Sequence, residues 1–336
     1  MYLEFYGLRE RPFELTANTR FLFLTNRQRE GLSNLQYGLM SSKSLTLLLG
    51  EAGTGKTTLI RAALESERCR GVQCIYVNNP MLSSAEFVAL LAQRFNLGHD
   101  AAASKPILLE RLENELRTRR AAGTITALVV DEAQSLTTDL LEEIRLLTNI
   151  ETPDEKLLPL VLAGQPELSD RLERFELRQL KQRVALRCEL SSFELSDTAA
   201  YIATRIKAAG GVPAGMFTQE AVTLIHEYSR GIPRTINVIC DNALLTGMAL
   251  GHSRVERALV AEVCVDLRLS SGSDDPPPAG SEALTQMPAV NTTDAGEGSK
   301  DSAPGSAVAE DDTSLRSQFR FRLRAAQLDP ERTVVE

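Results

Sequence analysis

The chain has 336 residues, 43% of them hydrophobic, with 45 acidic against 37 basic side chains and a net charge of −8. That length supports one large or two small domains with a proper core. No apolar run approaches the ~18 residues of a membrane span, and the N-terminus lacks the basic and apolar regions of a signal peptide, so the expected location is cytoplasmic.

The first 40 residues carry Phe5, Tyr6, Phe13, Phe21 and Phe23. These aromatics either pack beside a bound base or, the reading preferred here, cover a sheet as core. The apolar run 45–49 predicts a strand, and residues 50–57 follow it as Gly-Glu-Ala-Gly-Thr-Gly-Lys-Thr. A helix-like stretch opens at Thr58. The pattern G-x-x-x-x-G-K-[ST] between a strand and a helix is a phosphate-binding loop. Gly50, Gly53 and Gly55 let the backbone approach phosphates, and the amides of Glu51, Ala52, Thr54 and Thr58 complete an anion cradle at the helix N-terminus. Lys56 is expected to reach the β- and γ-phosphates, and the Thr57 hydroxyl to bind Mg²⁺.

Strands are predicted at 72–77 and 126–130, separated by helices at 84–95 and 105–120. The strand 126–130 ends in Asp131-Glu132. An acidic pair at a strand end is weak evidence alone. After a phosphate loop it predicts Asp131 in the Mg²⁺ shell and Glu132 polarising the attacking water. A helix at 138–147 leads to strands at 158–163 and 184–190. Strands alternating with helices predict an α/β fold with a parallel sheet. From residue 198 the pattern becomes helical only: 198–209, a helix capped by Thr218 and running to 228, then 233–251 and 255–267. The expected organisation is an α/β domain over 1–192, with 1–40 a distinct N-terminal segment, and a helical lid over 193–269.

Residues 270–336 hold 12 acidic and 6 basic side chains, leaving 33 and 31 for residues 1–269. The folded part is therefore nearly neutral, which argues against nonspecific coating of nucleic acid. The stretch 270–313, rich in Ser, Gly, Ala, Asp and Pro, is expected to be disordered. Within 314–324, Phe319, Phe321 and Leu323 alternate with Arg320, Arg322 and Arg324, which marks either a docking segment or a solvated tail. Arg117, Arg119 and Arg120 read as a solvated helix end, where positive charge suits the dipole. The five scattered cysteines read as reduced and structural.

Further strings extend the nucleotide reading. Ala163-Gly164-Gln165-Pro166-Glu167-Leu168 follows a strand, Ser229-Arg230-Gly231-Ile232-Pro233-Arg234 opens a lid helix, and Phe5-Tyr6-Gly7-Leu8, Pro12-Phe13 and Arg20-Phe21-Leu22 stand near the N-terminus. Together over about residues 1–268 they resemble the ExeA/GspA family of AAA+ ATPases, which includes type II secretion, pilus-biogenesis and exosortase-locus members. The resemblance implies a P-loop AAA+ domain, a helical lid and ATP with Mg²⁺ as ligands. It places Gln165 at the sensor 1 position, where Asn or Thr is commoner in the wider class, and Arg234 at sensor 2. It also implies an arginine finger acting in trans from 177–183, Arg183 by preference and Arg178 as runner-up, and hence a homo-oligomer.

Secretion members of the family carry a membrane span and a periplasmic peptidoglycan-binding region after the ATPase part. Neither is read in this sequence, so recruitment to the inner membrane is expected through a partner protein. The implied function is ATP hydrolysis that drives or regulates assembly of a secretion, exopolysaccharide or cell-envelope system. Two alternatives stand beside it: a DNA-associated helper of the transposition (TniB-like) type, and a slow-turnover ATP-gated scaffold.

Overall fold

The computed structural model describes residues 2–41, 43–78 and 81–269. Helices α1 (Tyr2–Phe5) and α2 (Asn26–Met40) precede the first strand, β1 (Leu45–Gly50), and α3 (Lys56–Glu65) follows it. Next come β2 (Val72–Val77), α4 (Ser84–Arg94), α5 (His99–Ala103), α6 (Lys105–Ala121) and β3 (Ile125–Val130). Helix α7 (Thr138–Leu147), β4 (Leu160–Gly164), α8 (Glu167–Leu172), α9 (Arg178–Lys181) and β5 (Val184–Leu190) complete the α/β part. The strands form one sheet in the order β2-β3-β4-β1-β5, and every pairing is parallel.

Every residue of β1 is buried. A strand covered on both faces reads as a continuous apolar run, and this one does. Leu45, Leu47 and Leu49 pack with Phe87, Leu108, Leu112, Leu140 and Ile144 of α4, α6 and α7. Leu48 joins Leu35 and Leu39 of α2 and Leu59 and Ile60 of α3 in a separate cluster, as the two-residue period of a strand demands. Because all strands run the same way, their carboxyl ends share one edge. That edge is where ligands bind open α/β sheets, and the ends of β1, β3 and β4 bring residues 50–57, 131–134 and 165 to it.

Four helices follow: α10 (Leu195–Ala208), α11 (Gln219–Ser229), α12 (Pro233–Ala249) and α13 (Arg257–Asp266). Their core includes Ile202, Ile206, Leu224, Ile225, Ile236, Leu244 and Val260. Tyr2, Leu8, Phe13 and Phe21 belong to the same cluster, and Phe23 meets Phe193 and Tyr201 edge-on. This corrects the expectation that the N-terminal aromatics cover the sheet. Helices already cover both sheet faces, whereas four short helices leave an apolar surface that the N-terminal segment closes. Polar ties reinforce it: Arg9 N–H donates to Ala209 O at 2.8 Å, and the Tyr2 hydroxyl to Asp241 Oδ1 at 2.5 Å.

Helix α2 was not foreseen, although its signal is present. Thr25 accepts from Gln28 N–H while the Gln28 side chain accepts from Thr25 N–H, a capping box legible as Thr-x-x-Gln. The cysteines are free thiols, four of them buried, and burial raises Cys74, Cys188 and Cys264 to about 11. Arg117 and Arg119 pair with Glu113 and Glu115 one turn back, and Arg120 with Glu155. No helix among the described residues is long and apolar enough to cross a membrane. The stretch 270–313 and the segment 314–324 lie outside the described residues.

Candidate nucleotide site

The phosphate loop leaves the end of β1 at Gly50 and enters α3 at Lys56. The Lys56 side chain is folded into its own loop, donating from Nζ to Gly50 O at 2.7 Å and to Glu51 O at 3.1 Å. Burial lowers the Lys56 pKa, and the nearby Glu132, Asp131, Glu51 and Glu167 carboxylates oppose that shift. The ammonium is thus stored among carbonyls beside the place where phosphates would arrive. Gly53 stands at φ +84, and a Cβ there would lie 2.7 Å from Arg234 Cβ. The loop therefore needs glycine at 53 both for its backbone and for the approach of the lid.

Asp131 lies one residue beyond β3. Its Oδ2 accepts from the Thr57 hydroxyl at 2.6 Å and from the Tyr76 hydroxyl at 2.5 Å, and its Oδ1 accepts from Glu132 N–H at 2.9 Å. Burial and the Asp131 carboxylate both push the Tyr76 phenol pKa up, so it remains a donor. Thr57 and Asp131 offer hard oxygen atoms at one point. Among the described residues no group of three or more His, Cys, Asp or Glu could hold a metal by itself. That donor set fits Mg²⁺, which takes one or two protein oxygens and completes its shell with phosphates and water. Glu132 adopts φ +55 and lines the cleft, and its Oε2 accepts from Gln134 Nε2 at 2.7 Å.

The lid closes the other side. Arg234, at the start of α12, donates its backbone N–H to Gly53 O at 3.2 Å. The cleft is lined by Gly53–Leu59 and Glu132 from the sheet side, and by Phe193, Tyr201, Arg205, Pro233, Arg234 and Asn237 from the lid side. Leu15–Asn18, Phe21, Leu22, Phe23 and Gln28 of the N-terminal segment line it too. Phe21 and Phe23 thus belong to the lid core and also line the cleft, where the alternative reading of the aromatics had set them. Buried Arg205 binds the Pro12 carbonyl, the Glu14 carbonyl at 3.3 Å and the Tyr201 hydroxyl at 2.6 Å, and its guanidinium lies 4.9 Å from the Phe21 ring centre. Tyr201 in turn donates to Asn237 Oδ1 at 2.9 Å. At the turn between α11 and α12, Gly231 has φ +71, and a Cβ there would lie 2.1 Å from Phe193 O.

Lys56, Thr57, Thr58, Gly53–Gly55, Glu132 and Arg234 therefore share one cleft, with Asp131 joined through Thr57. Gln165 is half-buried just past β4, and its backbone N–H donates to Gln134 Oε1 at 3.1 Å. Arg183 does not line this cleft, and its Nη2 donates to Asn149 Oδ1 at 2.9 Å, while Arg178 is exposed. Sequence reasoning missed Tyr76, Gln134, Tyr201, Arg205 and Asn237. Tyr76 sits opposite Val129 in the β2–β3 register, which strand alternation alone does not disclose.

Residues 39–172 match the AAA domain family. Over 255 residues the chain is 40% identical to general secretion pathway protein A of Aeromonas hydrophila, a match covering 76% of this chain and 46% of that protein. The chain thus spans about half the length of this curated relative. Among solved structures, Cdc6p from Pyrobaculum aerophilum aligns with a TM-score of 0.58 at 19% identity, covering 74% of this chain and 70% of that one. The Aeropyrum pernix ORC2 protein in its ADPNP–ADP complexes aligns with a TM-score of 0.56 at 14% identity, covering 77% and 72%. At those identities the likeness is one of fold. The chain thus has the fold of the AAA+ P-loop ATPases, carries a match to the AAA domain and is similar over most of its length to general secretion pathway protein A.

Proposed function

We propose that this ATPase binds ATP with Mg²⁺ between the phosphate loop and the lid, and hydrolyses it to drive or regulate assembly of a secretion, exopolysaccharide or cell-envelope system. The observation that carries the chemistry is the convergence of Lys56, Thr57, Glu132 and Arg234 on one cleft. The loop amides and the α3 N-terminus would receive the phosphates, and Lys56 would exchange the Gly50 and Glu51 carbonyls for phosphate oxygens. A magnesium ion held by Thr57 and Asp131 would screen the phosphate charge. Glu132 accepts the proton of the attacking water. Gln165 at the end of β4 helps orient that water. Arg234 reports the γ-phosphate to the lid, and Arg183 of a neighbouring copy, or else Arg178, completes the site in trans.

The envelope role rests on the 40% identity to general secretion pathway protein A. It carries with it a cytoplasmic location, a homo-oligomer, and recruitment to the inner membrane by a secretion or envelope partner protein. The near-neutral charge of residues 1–269 and the ion-paired Arg117, Arg119 and Arg120 favour this reading over a DNA-associated helper.

ATP turnover per subunit, measured across protein concentrations with and without duplex DNA, tests the proposal. Turnover that climbs with concentration, ignores DNA and falls by about a hundredfold or more in Glu132→Gln is the expected result. Stimulation by DNA would put the transposition-type helper first. Turnover independent of concentration would remove the trans-acting arginine.

A further inference from the structure

Gln134 is not demanded by the phosphate-loop chemistry, yet it is tied into the site at three points. Its Nε2 donates to Glu132 Oε2 at 2.7 Å, and its Oε1 accepts from Gln165 N–H at 3.1 Å. Its backbone carbonyl accepts from Arg171 Nη1, on α8, at 2.6 Å. The orientation of the amide is dictated by its partners, because an ionised carboxylate only accepts and a backbone N–H only donates. Neighbouring residues also leave room for this side chain. A Cβ at Gly164 would lie 3.1 Å from Gln134 Oε1 and 3.2 Å from its backbone nitrogen.

Glu132 needs such a holder. Its backbone is left-handed at φ +55, a conformation that costs free energy outside glycine, and its side chain faces an open cleft. A carboxylate with both oxygens loose samples several rotamers, only some of which present a lone pair to water. The bond from Gln134 engages one oxygen, Oε2, and leaves Oε1 to take the proton. We infer that Gln134 is a positioning residue for hydrolysis: it holds the Glu132 carboxylate by one oxygen and couples it, through the Gln165 amide, to the end of β4. The inference rests on the reading of Glu132 as the base.

The test uses the full chain with Gln134→Leu, Gln134→Glu and Glu132→Gln, reading kcat, KM and the Kd of a fluorescent ATP analogue. Leucine removes both side-chain bonds. Glutamate keeps the acceptor for Gln165 N–H but turns the donor to Glu132 into a second carboxylate that repels it, so it disturbs positioning while sparing the support of β4. Both Gln134 variants are expected to lower kcat by about tenfold or more while Kd stays within about twofold. A Gln134→Glu enzyme with kcat unchanged or raised, alongside an inactive Glu132→Gln, would overturn the inference and leave the base assignment standing. So would a fall in turnover matched by an equal loss of affinity. Wild-type turnover in Glu132→Gln would instead remove the base assignment, and this inference with it.

Discussion

The sheet-side wall of the nucleotide cleft comes from Gly53–Leu59, consecutive in the chain, and from Glu132, delivered by the end of β3. The lid-side wall gathers Phe193, Tyr201, Arg205, Pro233, Arg234 and Asn237 with Leu15–Asn18 and Phe21–Phe23 from the opposite end of the described chain. The first wall is a matter of backbone amides, the Lys56 ammonium and the Glu132 carboxylate, backed by the bond from Thr57 to Asp131. The second depends on apolar burial between segments about 190 residues apart, tied by the buried Arg205 guanidinium to the carbonyls of Pro12 and Glu14. Damage to the sheet side should therefore change ligand chemistry and spare stability. On the lid side, stability and the cleft should fail together.

The largest effect is expected on the sheet side. Lys56→Ala removes the one cation of the loop and should cost more than about 3 kcal/mol in ATP affinity, because a charge-assisted contact to phosphate is lost. Calorimetric titration should show no binding at ordinary concentrations, while the nucleotide-free melting temperature stays close to that of the wild type. Unaltered binding would refute the site assignment, and a collapsed melting temperature would blur the contrast between the walls.

Gly231→Ala tests the contact between the α11–α12 turn and Phe193 on the lid side. The new methyl would meet Phe193 O at 2.1 Å on a backbone with φ +71. Strain and overpacking together should destabilise the chain by about 3 kcal/mol. A chemical denaturation curve checks this, and nucleotide affinity should fall as well because Arg234 lies three residues on. A variant as stable as the wild type would show that the 193–231 contact yields without cost.

Arg205→Met is the gentler probe. It keeps much of the side-chain volume but breaks the bonds to the Pro12 and Glu14 carbonyls and the Tyr201 hydroxyl, leaving buried acceptors unsatisfied. A loss of about 2 kcal/mol is expected. Limited proteolysis should then cut the chain near residues 9–18 sooner than in the wild type. Equal cleavage rates would mean that aromatic packing alone retains the segment.

Much of the site was legible because its chemistry is local. A strand, a glycine-spaced loop and a helix start follow one another in the chain, so the residues that cradle phosphate are neighbours by necessity. Asp131-Glu132 was readable for a related reason: a strand of a parallel sheet must deliver its last residues to the carboxyl edge. Gln134 lay in plain view two residues later, yet nothing in the spacing shows its side chain bridging to Gln165 N–H. Tyr76 and Arg205 were hidden more deeply, because each acts across the fold on a residue 55 and 193 positions away or nearly so.

What the sequence by itself determined is the phosphate loop, the acidic strand end, the parallel α/β class and the turn to helices after residue 190. These follow from steric needs of the backbone and from hydrophobic periods of two and 3.6, which are properties of short segments. Tertiary structure alone decided that the N-terminal aromatics close the lid and not the sheet. It alone decided that Tyr76 and Thr57 share one oxygen of Asp131, and that Gln134 holds Glu132. Each of those outcomes depends on which surfaces remain uncovered once the helices have packed, and no short segment carries that information.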